Sequence, residues 1–349
     1  SSSVLRRASE RSNTARLTFT PLSQTYADLM QLPCSRPAIF VVRSPPFCGV
    51  DGIAHTERAG YDKGMLNLLD KLDVFYGELT PARATIYAQL EGQQNTTGLS
   101  LSGVVRGPRC FCSNTLQSTS RLEDAGPGTS LLAKSLVTDP CYWSPETPNI
   151  YDVTVELRRG KEVIASEVRQ IGFKPLGISG RFFTWEGKPW VPRGVDSKSL
   201  FSQPPLAQWR SCSAVMVLGD HVDESLLARA SEEGVLCFVC IDKLDITKTR
   251  SLARYPAVAI AHSGSSSTYS CGRNIICSQY YAKGSEIGRD VQVALGDSAE
   301  DLLQVSKVFP GPIMATRDGT YETLAEARAA CDKLQADLAP FGQFAGYFA

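Results

Sequence analysis

The stretch NIYDVTVELRRGKEVIASEVRQIGF, residues 149–173, alternates in character through its first half: Tyr151, Val153, Val155 and Leu157 fall on one parity, Ile150, Asp152, Thr154 and Glu156 on the other. Successive strand residues point to opposite faces, so the first set enters a core and the second meets water. Arg159-Gly160 supplies the turn to a second strand, EVIASEVRQIGF (162–173). Further back, ATIYAQLEG, GLSLSGVVRGP and SLLAKSLV are short strands divided by turn residues. About 100 residues with this spacing predict an immunoglobulin-like β-sandwich over 74–176. Ahead of it, KGMLNLLDKLDVF (63–75) sets Met65, Leu68, Leu69 and Leu72 at helical offsets and predicts a short amphipathic helix, with DVFYGEL as a competing strand. Residues 1–16 are polar and basic and predict a flexible arm, and ARLTFTPL and AIFVVRS have strand character. Residues 1–73 thus form an N-terminal arm and reduced β/α segment.

Toward the C-terminus the pattern changes at 177. Eight strand candidates follow: 190–196, 213–218, 235–242, 257–263, 274–281, 290–296, 311–317 and 344–349. Helical patterns occupy 223–234, 299–309 and 322–341, the last with Leu324, Ala327, Leu334 and Leu338 on one stripe. The fold class expected is therefore multidomain β and α/β, an immunoglobulin-like β-sandwich followed by a reduced (β/α)8 TIM barrel over 177–349. Each unit averages about twenty residues against roughly 30 in a full barrel. SGSSSTYSCGR and AKGSEIGR, after the fourth and fifth strands, are too short and polar to be covering helices. The exposed flank predicts that the N-terminal segment, a protein partner or a second copy in a homo-oligomer covers it.

With 36 basic and 36 acidic residues the chain has no net charge and no long-range field for nucleic acid or an anionic membrane. No apolar run reaches 18 residues, and the first residues lack the apolar core of a signal peptide, which predicts a soluble, cytoplasmic protein. Several of the eleven cysteines lie in apolar runs, VLCFVCID and NIICSQ among them, where thiols pack as small hydrophobes. Cys237 and Cys240 form a CxxC whose side chains, on a strand, point to opposite faces, and no second pair follows at zinc spacing. His55, His221 and His262 are scattered. No metal and no cofactor is expected. Asn95-Thr96-Thr97 matches a glycosylation acceptor by composition alone.

Four phrases occur in order over about 55 residues: Trp143-Ser144-Pro145-Glu146 with Pro148 and Tyr151, then Arg169 with Gly172-Phe173-Lys174, Gly187-Lys188-Pro189, and Arg193-Gly194-Val195. Together they resemble the family 2 glycoside hydrolases, the class of β-galactosidases and β-glucuronidases, where such phrases close the immunoglobulin-like domain and enter the barrel. The resemblance implies glycoside hydrolysis by two glutamates, one protonating the leaving oxygen and one attacking the anomeric carbon, about 5 Å apart. It also implies an Asn-Glu at the end of the fourth barrel strand, where this chain has Ser265-Ser266, and a glutamate ending the seventh, where it has Arg317. The family's histidine after the first strand is matched by Lys198, its usual final arginine in Gly-Phe-Arg by Lys174, and its leading jelly-roll domain by a shorter segment. A serine hydroxyl cannot protonate a departing sugar, and a guanidinium cannot attack an oxocarbenium-like centre. Shifting the fourth-strand frame does not help, because no carboxylate lies between Asp245 and Glu286.

Asp196, Asp242, His262, Arg317 and Asp318 fall at the C-terminal ends of candidate strands, where barrels place their chemistry, and are the ligand-binding candidates. Asp242 with Asp245, or with Asp318, is the candidate relocated carboxylate pair, for which a separation of about 5–10 Å is required. The plainer readings are a helix N-cap for Asp242, a turn residue for Asp318 in Arg-Asp-Gly-Thr, and a satisfied, partly buried imidazole for His262. Trp143, Trp185, Trp190 and Trp209 could stack on sugars, with Trp143 read instead as packing between domains. Three functions follow: a non-catalytic family 2-like carbohydrate-binding or scaffolding protein, an active retaining β-glycosidase with relocated carboxylates, or an assembly protein with an empty barrel mouth. The reading leans away from an enzyme; if active, it is an O-glycosyl hydrolase.

Overall fold

The structure, a computed structural model, describes residues 69–91, 98–219, 222–241, 246–263, 273–281 and 285–349. The readings made for residues 1–68, Asn95-Thr96-Thr97, His221, Asp242, Asp245, Ser265 and Ser266 lie outside them.

Seven strands open the described fold: β1 (Leu72–Leu79), β2 (Arg83–Leu90), β3 (Leu99–Arg109), β4 (Ser118–Asp124), β5 (Leu131–Thr138), β6 (Ile150–Arg159) and β7 (Glu162–Ile171). They pair antiparallel in the order β1-β2-β5-β4-β3-β6-β7. β4 runs with β3 from Gly103 to Gly107 and touches β5 at Glu123 and Asp124, so it joins the two faces of the sandwich. Between them Ile86, Leu90, Leu101, Leu122, Val153, Val155 and Leu157 form a core at no more than 2% exposure. Burying side chains of this kind contributes about 1.5–3 kcal/mol each. The alternation read in β6 holds for Tyr151, Val153, Val155 and Leu157, but Ile150, on the polar parity, is also buried because it packs into the neighbouring barrel core.

The helix predicted over 63–75 is not what the described part forms: from Leu72 onward the chain is strand β1. Strand pairing prevails because Val74, Phe75 and Tyr76 are β-branched or aromatic and pair with β2, Phe75 stacking on its cross-strand partner Tyr87 at 5.4 Å. A small sheet follows, β8 (Leu176–Ser179), β9 (Phe182–Trp185) and β10 (Lys188–Trp190). Its second turn is made by Glu186 and Gly187, with φ of 51° and 74°. That left-handed pair is the geometry a two-residue hairpin needs, and it explains a glycine there.

Eight parallel strands close the barrel: β11 (Arg193–Asp196), β12 (Val215–Leu218), β13 (Cys237–Ile241), β14 (Val258–Ser263), β15 (Ile276–Tyr280), β16 (Val293–Gly296), β17 (Ile313–Thr316) and β18 (Gly346–Phe348). All eight lie within the predicted segments, and β18 pairs with β11 through Arg193–Tyr347 and Gly194–Phe348. Helices α1 (Leu206–Ser211), α2 (Glu224–Glu233), α3 (Ile246–Ala253), α4 (Ala299–Val308) and α5 (Leu324–Leu338) pack outside. Asp223, Ser298 and Thr323 cap α2, α4 and α5 by accepting from the first-turn amides of Ser225, Asp301 and Glu326. No described helix is long and apolar enough to cross a membrane.

Among the described residues no helix lies between β14 and β16. The outward residues there, Ala259, Ala261, Cys277 and Gln279, are nevertheless buried. Part of the cover is the irregular segment 285–292: Gln279 donates to the Glu286 carbonyl and accepts from Gly288 N, both at 2.9 Å, and Gln292 accepts from Cys277 N at 3.1 Å. Cys277, expected as a packed thiol, is disulfide-bonded.

Sandwich and barrel meet at residues of the resembling phrases. Trp143 is fully buried, and its indole N–H donates to the Ser231 carbonyl on α2 at 2.8 Å. Ser231 Oγ in turn donates to the Leu227 carbonyl and accepts from Ala257 N ahead of β14. Gly172 lies so close that a Cβ there would stand 2.9 Å from Trp143 Cβ and 2.8 Å from Pro256 Cβ. The buried ammonium of Lys174 donates to the carbonyls of Pro256 at 2.9 Å and Val258 at 2.7 Å.

Candidate functional site

The barrel closes around side chains of one parity from each strand. Val217, Phe238, Cys240, His262, Leu295, Thr316 and Phe348 point inward and line a cavity of about 330 Å³ at the C-terminal mouth, with Asp196 at the end of β11 and Lys198, Arg317 and Asp318 beyond the strand ends. The structure thus brings together Asp196, His262, Arg317 and Asp318 of the five strand-end candidates; Asp242 lies outside the described residues. Cys240 lines this cavity while Cys237 is buried on the other face of the same strand, as a strand offset of three requires.

The floor is aromatic. Phe238 meets Phe348 edge-on at 5.1 Å, and His262 lies nearly parallel to Phe238 with centroids 6.1 Å apart. Burial pushes the His262 imidazolium down to about 4, so the ring is neutral near pH 7, with Nδ1 3.4 Å from Ser278 Oγ. The depressed folded-state value means that the unfolded chain binds this proton first as pH falls through about 6.5. Stability is lost between there and pH 4, by about 3 kcal/mol for this group. The expected result is that His262→Gln loses less stability than the unmodified protein between pH 7 and 4.5 in urea titrations; equal losses would assign the acid sensitivity to other groups.

The rim is polar but largely committed. Asp196 accepts from Lys198 N at 2.9 Å, capping a 3-10 turn, and its own amide donates to the Ala349 carbonyl. The Lys198 side chain crosses Gly219 at the end of β12, where a Cβ would come within 2.5 Å of its Nζ. Arg317, at the position where the resemblance implies a nucleophilic glutamate, turns its guanidinium to Asp337 on α5, donating at 2.7 Å. Tyr280, which ends β15, has its hydroxyl pushed up by burial and by a hydrogen bond to the Asp297 carboxylate, with the charges of Asp301 and Asp318 adding to the effect.

The sequence reading missed the hydrophobic half of this site. Phe238, Phe348 and Leu295 lie in strands that are apolar on both parities, which leaves no periodic signal for the inward set. The tryptophans offered as sugar platforms are elsewhere. Trp143 is at the seam, and Trp185, Trp190 and Trp209 line a separate cavity of about 300 Å³ near the N-terminal ends of β12 and β13.

Comparison with known proteins agrees with this layout. Residues 77–174 match the family model described as glycosyl hydrolases family 2, a span that runs from the end of β1 through β7 to Lys174 at the seam. The chain is glycosyl hydrolase family 2-like. A β-galactosidase from Klebsiella pneumoniae is 31% identical over 131 residues, 34% of this chain and 13% of that protein. A second, from Klebsiella pneumoniae strain 342, is 43% identical over 60 residues, 17% of this chain and 6% of its own length. The matches therefore span a small part of these relatives. Two solved structures share the fold at 13% identity: a glycosyl hydrolase family 2 member from Bacteroides cellulosilyticus and the β-glucuronidase of Bacteroides uniformis, with TM-scores of 0.54 and 0.51. Each aligns with 80% of this family 2-like chain, over 43% and 45% of their own lengths.

Proposed function

We propose that this family 2-like protein binds a carbohydrate in the barrel mouth without hydrolysing it. The observation that carries the reading is Arg317. A permanently charged guanidinium stands at the seventh strand's end, where the resemblance implies the attacking carboxylate, and it is paired with Asp337. The serines matched to the acid/base position point the same way on residue type. Binding is supported by an aromatic floor of Phe238 and Phe348 beneath a polar rim of Asp196, Lys198, Thr316 and Asp318, since sugars offer apolar faces and hydroxyl edges together.

The rival reading, a β-glycosidase with relocated carboxylates, rests on Asp318, which lines the same cavity. Calorimetry against a panel of β-glycosides, beside release of nitrophenol from the matching aryl β-glycosides, tests both. The expected outcome is heat of binding with no turnover, and weaker binding after Asp318→Asn. Turnover abolished by Asp318→Asn would overturn the proposal in favour of the rival. Neither binding nor turnover would leave the barrel as a scaffold, with the β14–β15 flank as the surface to examine for a partner or a second copy.

A further inference from the structure

The loop after β3 reads Cys110-Phe111-Cys112-Ser113, and its two thiols face each other with sulfurs 3.4 Å apart. Cys112 is exposed and Cys110 partly so. We infer that Cys110 and Cys112 form a dithiol site for thiol–disulfide exchange, which takes a low-molecular-weight disulfide such as oxidised glutathione as its co-reactant and ends as an internal disulfide.

Geometry carries the inference. A disulfide needs sulfurs about 2.0 Å apart and Cα atoms about 4.4–6.8 Å apart. Residues two apart in a bent chain meet the second condition, and residues 111–113 form a bend. The sulfurs therefore have only about 1.4 Å to close. Local polar groups prepare the attacking sulfur. Partial burial disfavours the Cys110 thiolate, but hydrogen bonds from the Ser113 side chain, the Cys112 thiol and the backbone amides of Cys112 and Ser113 outweigh it, and the thiol sits below its ordinary value.

The exchange balances in two steps. Cys110 thiolate attacks one sulfur of oxidised glutathione, forming a mixed disulfide and expelling glutathione thiolate. Cys112, its proton released to solvent, then attacks the Cys110 sulfur, forming the internal bond and expelling the second glutathione thiolate. Two electrons pass from the cysteine pair to the glutathione disulfide, and its two halves take up the two protons.

A structural consequence follows at the seam. In the neutral dithiol form the single Cys112 S–H donates to the Glu146 carbonyl at 3.3 Å, the same oxygen that Arg210 of α1 holds at 2.7 Å, and it turns to the Cys110 sulfur when that thiol ionises. Oxidation removes the thiol donor and leaves the guanidinium as the remaining one of these two contacts.

The test uses the reduced full chain incubated with oxidised glutathione, quenched by iodoacetamide, and peptide-mapped by mass spectrometry. The peptide carrying both cysteines should lose two hydrogen atoms, about threefold or more faster than the exposed Cys141 reacts. Cys112→Ser should stop at a glutathione adduct on Cys110. Phenylarsine oxide, which bridges paired thiols, should protect both positions from alkylation in the unmodified protein and should not protect the remaining Cys112 in Cys110→Ser. Alkylation of Cys110 and Cys112 at the rate of Cys141, or glutathione accumulating on the unmodified protein with no internal bond, would overturn the assignment.

Discussion

Replacing Trp143 by alanine is expected to cost about 3–5 kcal/mol and to separate the unfolding of the sandwich from that of the barrel. The indole is fully buried, so truncation removes a large apolar volume at a site whose neighbours cannot collapse inward. Gly172 already packs against it so closely that a Cβ there would lie 2.9 Å from Trp143 Cβ and 3.0 Å from its Cδ1. The same change strips the Ser231 carbonyl of its indole donor, while the Ser231 hydroxyl still bridges α2 to the residue before β14. Trp143→Phe keeps most of the volume and loses the donor, and should cost about 1–2 kcal/mol. Denaturant titrations followed by both fluorescence and circular dichroism measure this. A single coincident transition and a loss under about 1 kcal/mol for the alanine variant would place the coupling elsewhere.

Lys174→Met is the second large effect, and its size should depend on pH. Burial pushes the Lys174 ammonium down to about 7, while two backbone carbonyls accept its protons. Methionine fills much of the space but leaves those acceptors without a donor, a cost of about 2–5 kcal/mol at pH 9. With the folded-state value below the unfolded one, the unfolded chain holds the proton more tightly between about pH 7 and 10, so the native protein gains stability as pH rises through that window. The gain relative to Lys174→Met should approach about 1.4 kcal/mol per pH unit at most. Unfolding midpoints of both proteins at pH 6 and pH 9 should diverge toward the alkaline side; a constant gap, or one that widens in acid, would assign the linkage to another group.

The barrel strands were legible because each is a short apolar run between turn or cap residues, and VLCFVCID and GPIMATR are two such runs. β4 was not legible. STSRLED carries one fully buried hydrophobe, Leu122, and its place in the sandwich comes from pairing with β3, not from its own pattern. At β1 the sequence left two readings open, a helix over 63–75 and a strand beginning in DVFYGEL; the strand forms over Leu72–Leu79, and the β2 edge that decides between them lies later in the chain. At the mouth, strand-end position was enough to gather Asp196, His262, Arg317 and Asp318, since a closed parallel barrel sends all its strand ends to one face. Where each side chain turns was beyond the pattern: Arg317 lines the cavity but commits its guanidinium to Asp337 on α5, and Asp196 is drawn back to the Lys198 amide.

The ring is completed where Arg193 meets Tyr347, two residues at nearly opposite ends of the barrel's stretch of chain. Contacts so distant along the sequence are slow to form, whereas the β1–β2 and β6–β7 hairpins need only their immediate neighbours. The β1–β2 and β6–β7 hairpins are thus expected to pair before the barrel closes, and the mouth is complete only once β18 has joined β11. Until then β11 and β17 each carry a bare pairing edge, which makes the half-wound barrel the form of this protein most prone to self-association.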